Sequence, residues 1–496
     1  MNNSSFQSFF LRFTSYLFTF LSLAVFAIKP VFAVNEYLKA DDYLAQVEAN
    51  NQEIRAIDMT LDSLLLKPRE AEMVYEPYIS AGGQYMKDKS GPTYGSTLSA
   101  KEMDVFSLNA AFNKKWAGGV SLSVGYAQAI TALDLYSPLQ LTPDQSLSQF
   151  TAYDVRPSVR LEQSLIKDRK GGLTVSGIGK TRLAARQGAY MQVFKRQQII
   201  IKARSAYWAL SLAREVVLFR KLSLERAEKL LNWNKKRVAL DLADKTDLLQ
   251  AEAAHKLRQL NYQLAVEDEI KAQRAFSELM GKTGDTVAGN IMKLSDMSAA
   301  YASGDLKRTG ERADVLAAMA GHESAQYALK EAVHRTGPEV SVYGTVSLHG
   351  LDIDYGRALS QAGVADKPAY GAGVLFSMPL GRSLIASVRK GYDADVEAAK
   401  ETLEKTRISA ANDWQDMVNT WRNVKMRMAL AVQIRDIQND RVNNEQKKLE
   451  RGRTTTFLLL TAENDLDDAT INVYRLMMEQ LTLAAQSELY STKEIQ

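Results

Sequence analysis

The chain of 496 residues contains no cysteine at all. That excludes a disulfide scaffold, thiolate zinc sites, iron–sulfur clusters, a cysteine nucleophile and a lipidated N-terminal cysteine. Proline is scarce, with 10 residues, and none falls between 180 and 280 or after Pro379, which leaves room for very long helices. Neither charge sign dominates. Lys plus Arg number 62 against 58 Asp plus Glu, a net charge of +4, so nucleic acid is not indicated as a partner. The four histidines, His255, His322, His334 and His349, form no HExxH spacing and read as surface or lumen residues. Beyond the N-terminus no run approaches the ~18 consecutive apolar residues of a spanning helix. Any membrane insertion by the body of the chain must therefore use β-strands.

Phosphate-loop chemistry is also absent. Gly177-Ile-Gly-Lys-Thr181 lacks the required earlier glycine, that position being Thr174. Gly281-Lys-Thr283 fails likewise at Phe276. The two segments read as a helix-start loop and a helix C-cap. Carboxylates are abundant, but on the helical stretches they alternate with Lys and Arg as solvated pairs. No catalytic order of side chains emerges. No enzyme activity, cofactor or metal is expected.

What is present begins with an export signal. Arg12, the apolar core of residues 13–28 and Val31-Phe32-Ala33 supply the basic, hydrophobic and small-residue parts of a secretory leader, with cleavage expected after Ala33. An exported chain free of cysteine suits a Gram-negative periplasm or outer membrane.

The body alternates between two periods. Residues 35–75 are helical in pattern. Pro77 then introduces strands at 78–88 and 155–165, with an alternating hairpin between them at 105–129 that turns at Gly118-Gly119. A helical region spans roughly 180 to 280 and is expected to fold back near Asp241 to Thr246, with Gly281 as its C-cap. After residue 300 the order recurs: helix 312–335, strand 339–349, polar loop 350–369, strand 370–380 and helices over 386–490. Residue pairs support a duplication. Glu53-Ile-Arg-Ala56 aligns with Asp314-Val-Leu-Ala317, Pro77 with Pro338, and Thr246-Asp-Leu-Leu-Gln-Ala-Glu252 with Phe457-Leu-Leu-Leu-Thr-Ala-Glu463. The expected units are the leader 1–33, a first repeat 34–300 and a second repeat 301–496.

Two spanning strands per half cannot close a barrel within one chain, because small membrane barrels need about eight. Open edges in lipid leave backbone groups unpaired. The chain is therefore expected to share a barrel with copies of itself, its helices hanging outside the membrane as antiparallel coiled-coil rods. The alternative is a soluble periplasmic coiled-coil tether.

Several motifs resemble the TolC-type outer-membrane factors: Asn50-Asn51-Gln-Glu-Ile-Arg55, Leu161-Glu-Gln-Ser-Leu165, Arg312-Ala-Asp-Val-Leu-Ala-Ala318, Phe376-Ser-Met-Pro-Leu380 and Glu450-Arg-Gly-Arg-Thr454. The resemblance implies an α+β membrane protein and a homotrimer. Four strands per chain would form one 12-stranded β-barrel in outer-membrane lipid, with long helices forming an α-barrel through the periplasm. The hairpin at 105–129 exceeds that count and is expected outside the shared barrel or as a strand extension. The implied function is a passive exit duct of a tripartite efflux pump or type I secretion system, partnered by a periplasmic adaptor and an inner-membrane transporter. The implied gate and adaptor contacts lie where the helices turn back: Asp244 and Asp247 in the first half, Arg451, Gly452, Arg453, Thr454, Leu458 and Thr461 in the second. Leu458 and Thr461 stand where the family often carries pore-narrowing aspartates, which points to an apolar constriction. Asp247 is the expected partner of Arg451 or Arg453 on a neighbouring hairpin.

Overall fold

The computed structural model describes residues 37–94, 98–142, 145–284, 290–301, 304–364 and 368–492. The expected leader lies outside them. Two short helices, α1 (Ala40–Asn50) and α2 (Gln52–Leu66), open the chain. Buried Asn51 separates them. Its side-chain oxygen accepts from the Glu53 and Ile54 amides at 2.9 and 3.0 Å, capping α2, while its amide donates to the Leu279 carbonyl at 2.8 Å. A 3-10 segment, Lys67–Tyr75, leads into the strands.

The strands are β1 (Tyr78–Asp88), β2 (Thr93–Tyr94), β3 (Leu98–Lys115), β4 (Val120–Thr142), β5 (Gln145–Ser164), β6 (Glu339–Ser347), β7 (Gly350–Asp352) and β8 (Ala369–Ser377). The main path of the sheet runs β1-β3-β4-β5-β6-β8, and every neighbouring pair is antiparallel. The four strands expected from the sequence are all there. The hairpin at 105–129 is neither outside the sheet nor a strand extension: as β3 and β4 it is inserted between β1 and β5, so six strands stand side by side. The reason is in the alternation. Phe106, Leu108, Ala110 and Phe112 pair with Tyr85, Gly83, Ala81 and Ile79 of β1, and with Ile130, Gln128, Tyr126 and Val124 of β4. The apolar positions thus stay on one face across the insertion. That face continues through Val159 and Leu161, Val342 and Val346, and Tyr370, Val374 and Phe376.

The other face is polar. Arg160 binds Glu162 at 2.9 Å and lies 3.9 Å over the Tyr343 ring, and Ser341 donates to Glu162 at 2.9 Å. Beyond the level of β6 the strands β3, β4 and β5 run on together, where Ala100, Leu133 and Leu135 form a small core. The segment expected as a polar loop holds β7 and a helix. This helix packs Ala358 and Ala362 on Val155.

The helical part holds α3 (Gly172–Ala239), α4 (Lys245–Leu279), α5 (Leu294–Tyr301), α6 (Ala313–Arg335), α7 (Tyr355–Val364, the helix on Val155), α8 (Arg382–Glu450) and α9 (Thr456–Ser487). At ~1.5 Å per residue, α3 and α8 with 68 and 69 residues are each about 100 Å long. No described helix is long and apolar enough to cross a membrane. The Gly177 to Thr181 segment is not a helix-start loop but lies inside α3. Its glycines serve close approach: a Cβ at Gly179 would sit 2.6 Å from the Tyr327 ring of α6. The main core gathers α1 to α5 and α9, with Tyr43 stacked on Phe276 at 4.0 Å and Tyr207, Leu210, Leu294 and Leu481 fully enclosed.

Candidate functional site

The residues singled out at the helix reversals occupy two tips at the far end from the sheet. In the first, α3 ends at Ala239 and α4 starts at Lys245, with Asp244 as N-cap residue in extended conformation. In the second, α8 ends at Glu450 and α9 starts at Thr456 behind Thr455, whose hydroxyl accepts from the Leu458 amide at 3.4 Å. Gly452 has φ 68°, a left-handed conformation, and space for a side chain is open around it. Backbone geometry alone therefore favours glycine there. Thr454 donates to Glu445 at 2.8 Å, and Lys448 holds the same carboxylate at 2.8 Å. Lys448 and then Thr454 lower the pKa of Glu445.

Arg451, Gly452, Arg453, Asp244 and Leu458 are exposed, and Asp247, Thr454 and Thr461 half-buried. Among the described residues no ion pair within the chain joins Asp247 to Arg451 or Arg453. Thr461 spends its hydroxyl on the Phe457 carbonyl at 2.9 Å. Leu458 is the one apolar tip residue named from the sequence; the others were missed. Leu240 and Leu242 stand 68% and 62% exposed in the first, and Phe457 is 58% exposed beside Leu458 in the second.

Behind the tips, a cluster locks the two hairpins together. Asp467 of α9 is buried and accepts from Arg258 of α4 at 2.5 Å and Arg220 of α3 at 2.8 Å. Arg258 also donates to Asn464 at 2.7 Å. Arg226 stands 3.7 Å from Glu463 and 3.8 Å from Asp467, ion-pair range without a hydrogen bond. Burial raises the pKa of Glu463, against the pull of Arg226 and Arg258. Nearer the tip, Thr456 donates to Asn234 at 3.2 Å, both fully enclosed. Glu463 and Asp467 are thus seam residues, not the solvated pairs the charge pattern suggested. Leu459, Leu466 and Val473, seven residues apart and all buried, mark that seam and place Glu463 beside it.

The flanks of the rods differ from the seams. On α4, Leu249, Leu257, Leu260 and Leu264 are 49–54% exposed. On α8, Met426, Leu430, Ile434 and Ile437 are 51–66% exposed. These spacings of three, four, seven and eight draw one apolar stripe along each outer helix.

Residues 309–491, most of the second half, match the protein family described as Outer membrane efflux protein. The second half of the chain is thus similar to that family. No curated protein sequence matches it. Solved structures share the fold across both halves. VceC of Vibrio cholerae, an outer membrane protein, superposes with TM-score 0.65 at 14% identity over 91% of this chain and 96% of VceC. The CmeC outer membrane channel of Campylobacter jejuni gives 0.60 at 12%, over 91% and 85% of the two chains. The MtrE outer membrane channel of Neisseria gonorrhoeae, in its open state, gives 0.58 at 14%, over 91% and 88%.

Proposed function

We propose that this chain is the outer-membrane exit duct of a tripartite efflux pump or a type I secretion system in a Gram-negative bacterium. One observation carries the reading. A sheet with one largely apolar face and free edges at β1 and β8 is joined directly to rods of about 100 Å. The sheet needs lipid on its face and another copy on each edge, and the rods need the depth of a periplasm. β1 and β8 run in opposite senses, so copies joined edge to edge continue the antiparallel pattern and close into a barrel. A homotrimer supplies that closure.

The rods fit the same symmetry. In the chain α4 and α8 flank the α3–α9 seam, each with its apolar stripe outward. A head-to-tail ring buries the α4 stripe of one subunit against the α8 stripe of the next. A soluble tether gains no support, since it leaves the sheet face and both stripes in water. The duct is passive, and partners supply energy and select cargo: an inner-membrane transporter and a periplasmic adaptor that meets the tips. Asp244, Asp247, Arg451, Gly452, Arg453, Thr454, Leu458 and Thr461 are the tip residues proposed for adaptor contact and gating. Asp247 reaches Arg451 or Arg453 of an adjacent subunit's hairpin, and Leu458 narrows the pore.

Extraction and conductance test this. The duct resists salt and carbonate, needs detergent, and runs as a trimer. Release by carbonate as a monomer rejects it. Asp247→Ala and Leu458→Ala raise conductance in planar bilayers at unchanged trimer yield. Unchanged conductance in both removes the gate and leaves the duct.

A further inference from the structure

Resting on that reading, we propose that the hairpin β3–β4 is part of the membrane wall itself, so that each subunit contributes six strands and a trimer closes an eighteen-stranded barrel. Three observations carry it. The first is register: β3 pairs with β1 from Tyr78↔Asn113 to Asp88↔Met103, and β4 pairs with β5 from Val120↔Gln163 to Asp134↔Gln149. β1 and β5 are separated by the full width of two strands over the whole length in which they would otherwise pair.

The second is chemistry. Across the hairpin the faces divide as they do in β8. Phe106, Leu108, Ala110 and Phe112 lie on the apolar face, and Ser107, Asn109 and Asn113 on the polar one. Asn113 donates to Ser80 of β1 at 3.3 Å on the polar side. Aromatic rings bracket the apolar run at Phe106 and Phe112 in β3, as at Tyr370 and Phe376 in β8. Aromatic rings at both ends of an apolar band are the mark of strands that cross a bilayer. Phe106, Leu108, Phe112 and Val124 are each 41–44% exposed, like Val159 and Val346 of the neighbouring strands. An appendage lying in water would have no use for such a face.

The third is anchorage. The turn joining β3 to β4 is built into the junction of sheet and rods. Lys114 donates to the Tyr75 carbonyl ahead of β1 at 2.6 Å. Lys115 pairs with buried Asp168 at 2.7 Å just before α3, and Ser164 at the end of β5 donates to the Gly119 carbonyl at 3.1 Å. The hairpin is held at its base from both neighbouring strands.

Barrel diameter grows roughly in proportion to strand number, so eighteen strands give an opening about half again as wide as twelve. Barrels of 16–18 strands enclose an aqueous channel. The wall through the outer membrane then sets no size limit. That limit lies at the helical tips.

The absence of cysteine makes the test direct. Single variants Leu108→Cys and Asn109→Cys report on β3, with Val374→Cys and Leu375→Cys on β8 as the reference wall strand, Leu375 standing opposite Ser341 on the polar face. A membrane-impermeant maleimide is applied to the full-length protein in lipid nanodiscs. The wall reading expects Asn109→Cys and Leu375→Cys to label at least tenfold faster than Leu108→Cys and Val374→Cys. Alternation in β8 with equal labelling at 108 and 109 overturns the six-strand wall and leaves the duct. No alternation in β8 overturns the duct reading, and this inference with it. An electron cryomicroscopy map of the same nanodiscs shows eighteen strands, and a map with twelve rejects the proposal.

Discussion

Asp241 and Gly452 hold the same left-handed backbone, at φ 57° and φ 68°, one in each tip. The matching extends to their neighbours. Leu242 donates to the Arg237 carbonyl at 2.8 Å and Asp241 to Val238 at 3.0 Å. Arg453 donates to Lys448 at 2.8 Å and Gly452 to Leu449 at 2.9 Å. Both helices therefore end in the same glycine-type C-cap, and the first half makes it with an aspartate.

The difference is testable in stability. A left-handed residue with a side chain costs about 1–2 kcal/mol, with Asp among the most tolerant, and glycine returns roughly 0.5–1 kcal/mol to the unfolded chain. Gly452→Ala is expected to destabilise its tip by about 1 kcal/mol, and Asp241→Gly to firm the other by roughly 0.5 kcal/mol. Hydrogen exchange at the Arg453 and Leu242 amides reads each effect locally.

The seam cluster predicts a larger loss. Asp467→Ala leaves Arg258, 4% exposed, and half-buried Arg220 without their carboxylate. Breaking such a pair by removing one partner costs roughly 3–5 kcal/mol. Faster proteolysis within α4 and α9 is the expected outcome. A double variant, Arg258→Met with Asp467→Leu, is expected to recover much of the loss, because apolar replacement of a buried pair is often neutral. Recovery no better than the single variant would count against charge burial as the cause.

Glu463 makes the same seam sensitive to pH. Its folded pKa lies above the ordinary 4.5, raised by burial. The folded state therefore holds its proton more tightly than the unfolded chain. The stability linked to this group is complete below 4.5 and is lost as pH rises through the folded value. Asp168 has the opposite sign. Burial would raise it, but Lys115 and two hydrogen bonds from Thr174 outweigh that and hold it below 3.8. Its contribution is complete above 3.8 and falls away in stronger acid. Glu463→Gln is expected to flatten the stability profile above pH 4.5, measured by thermal unfolding in detergent. An unchanged slope would reject the assignment.

Much of this architecture was legible because it rests on periodicity. The helix reversal near Asp241, the Gly281 cap at φ 69° and the strands flanked by Pro77 and Pro338 follow from local chemistry. The hairpin showed its faces in the sequence but not its neighbours. Strand order depends on long-range pairing, and alternation in Phe106 to Phe112 is satisfied inside or outside the main sheet. The buried cluster was hidden for another reason. Arg220, Arg258 and Asp467 come from three helices, and each alone reads as an ordinary charge on a long amphipathic rod. Only the heptad spacing of Leu459, Leu466 and Val473 marked the seam.

The last prediction concerns the sheet face. Val374 pairs with Val342 across β6 and β8 and is 69% exposed on the apolar side. Ser377, three residues on, lies on the polar side opposite Glu339. In a bilayer, an arginine on the lipid face costs about 2–4 kcal/mol near the midplane. Val374→Arg is therefore expected to reduce trimer assembly sharply. Ser377→Arg adds a cation beside Glu339, which already binds Lys167 at 3.4 Å, and is expected to leave assembly unchanged. The yield of detergent-extracted trimer at matched expression checks both. Equal yields from the two variants would mean that the two faces meet the same environment, and the register of β8 against lipid would have to be abandoned.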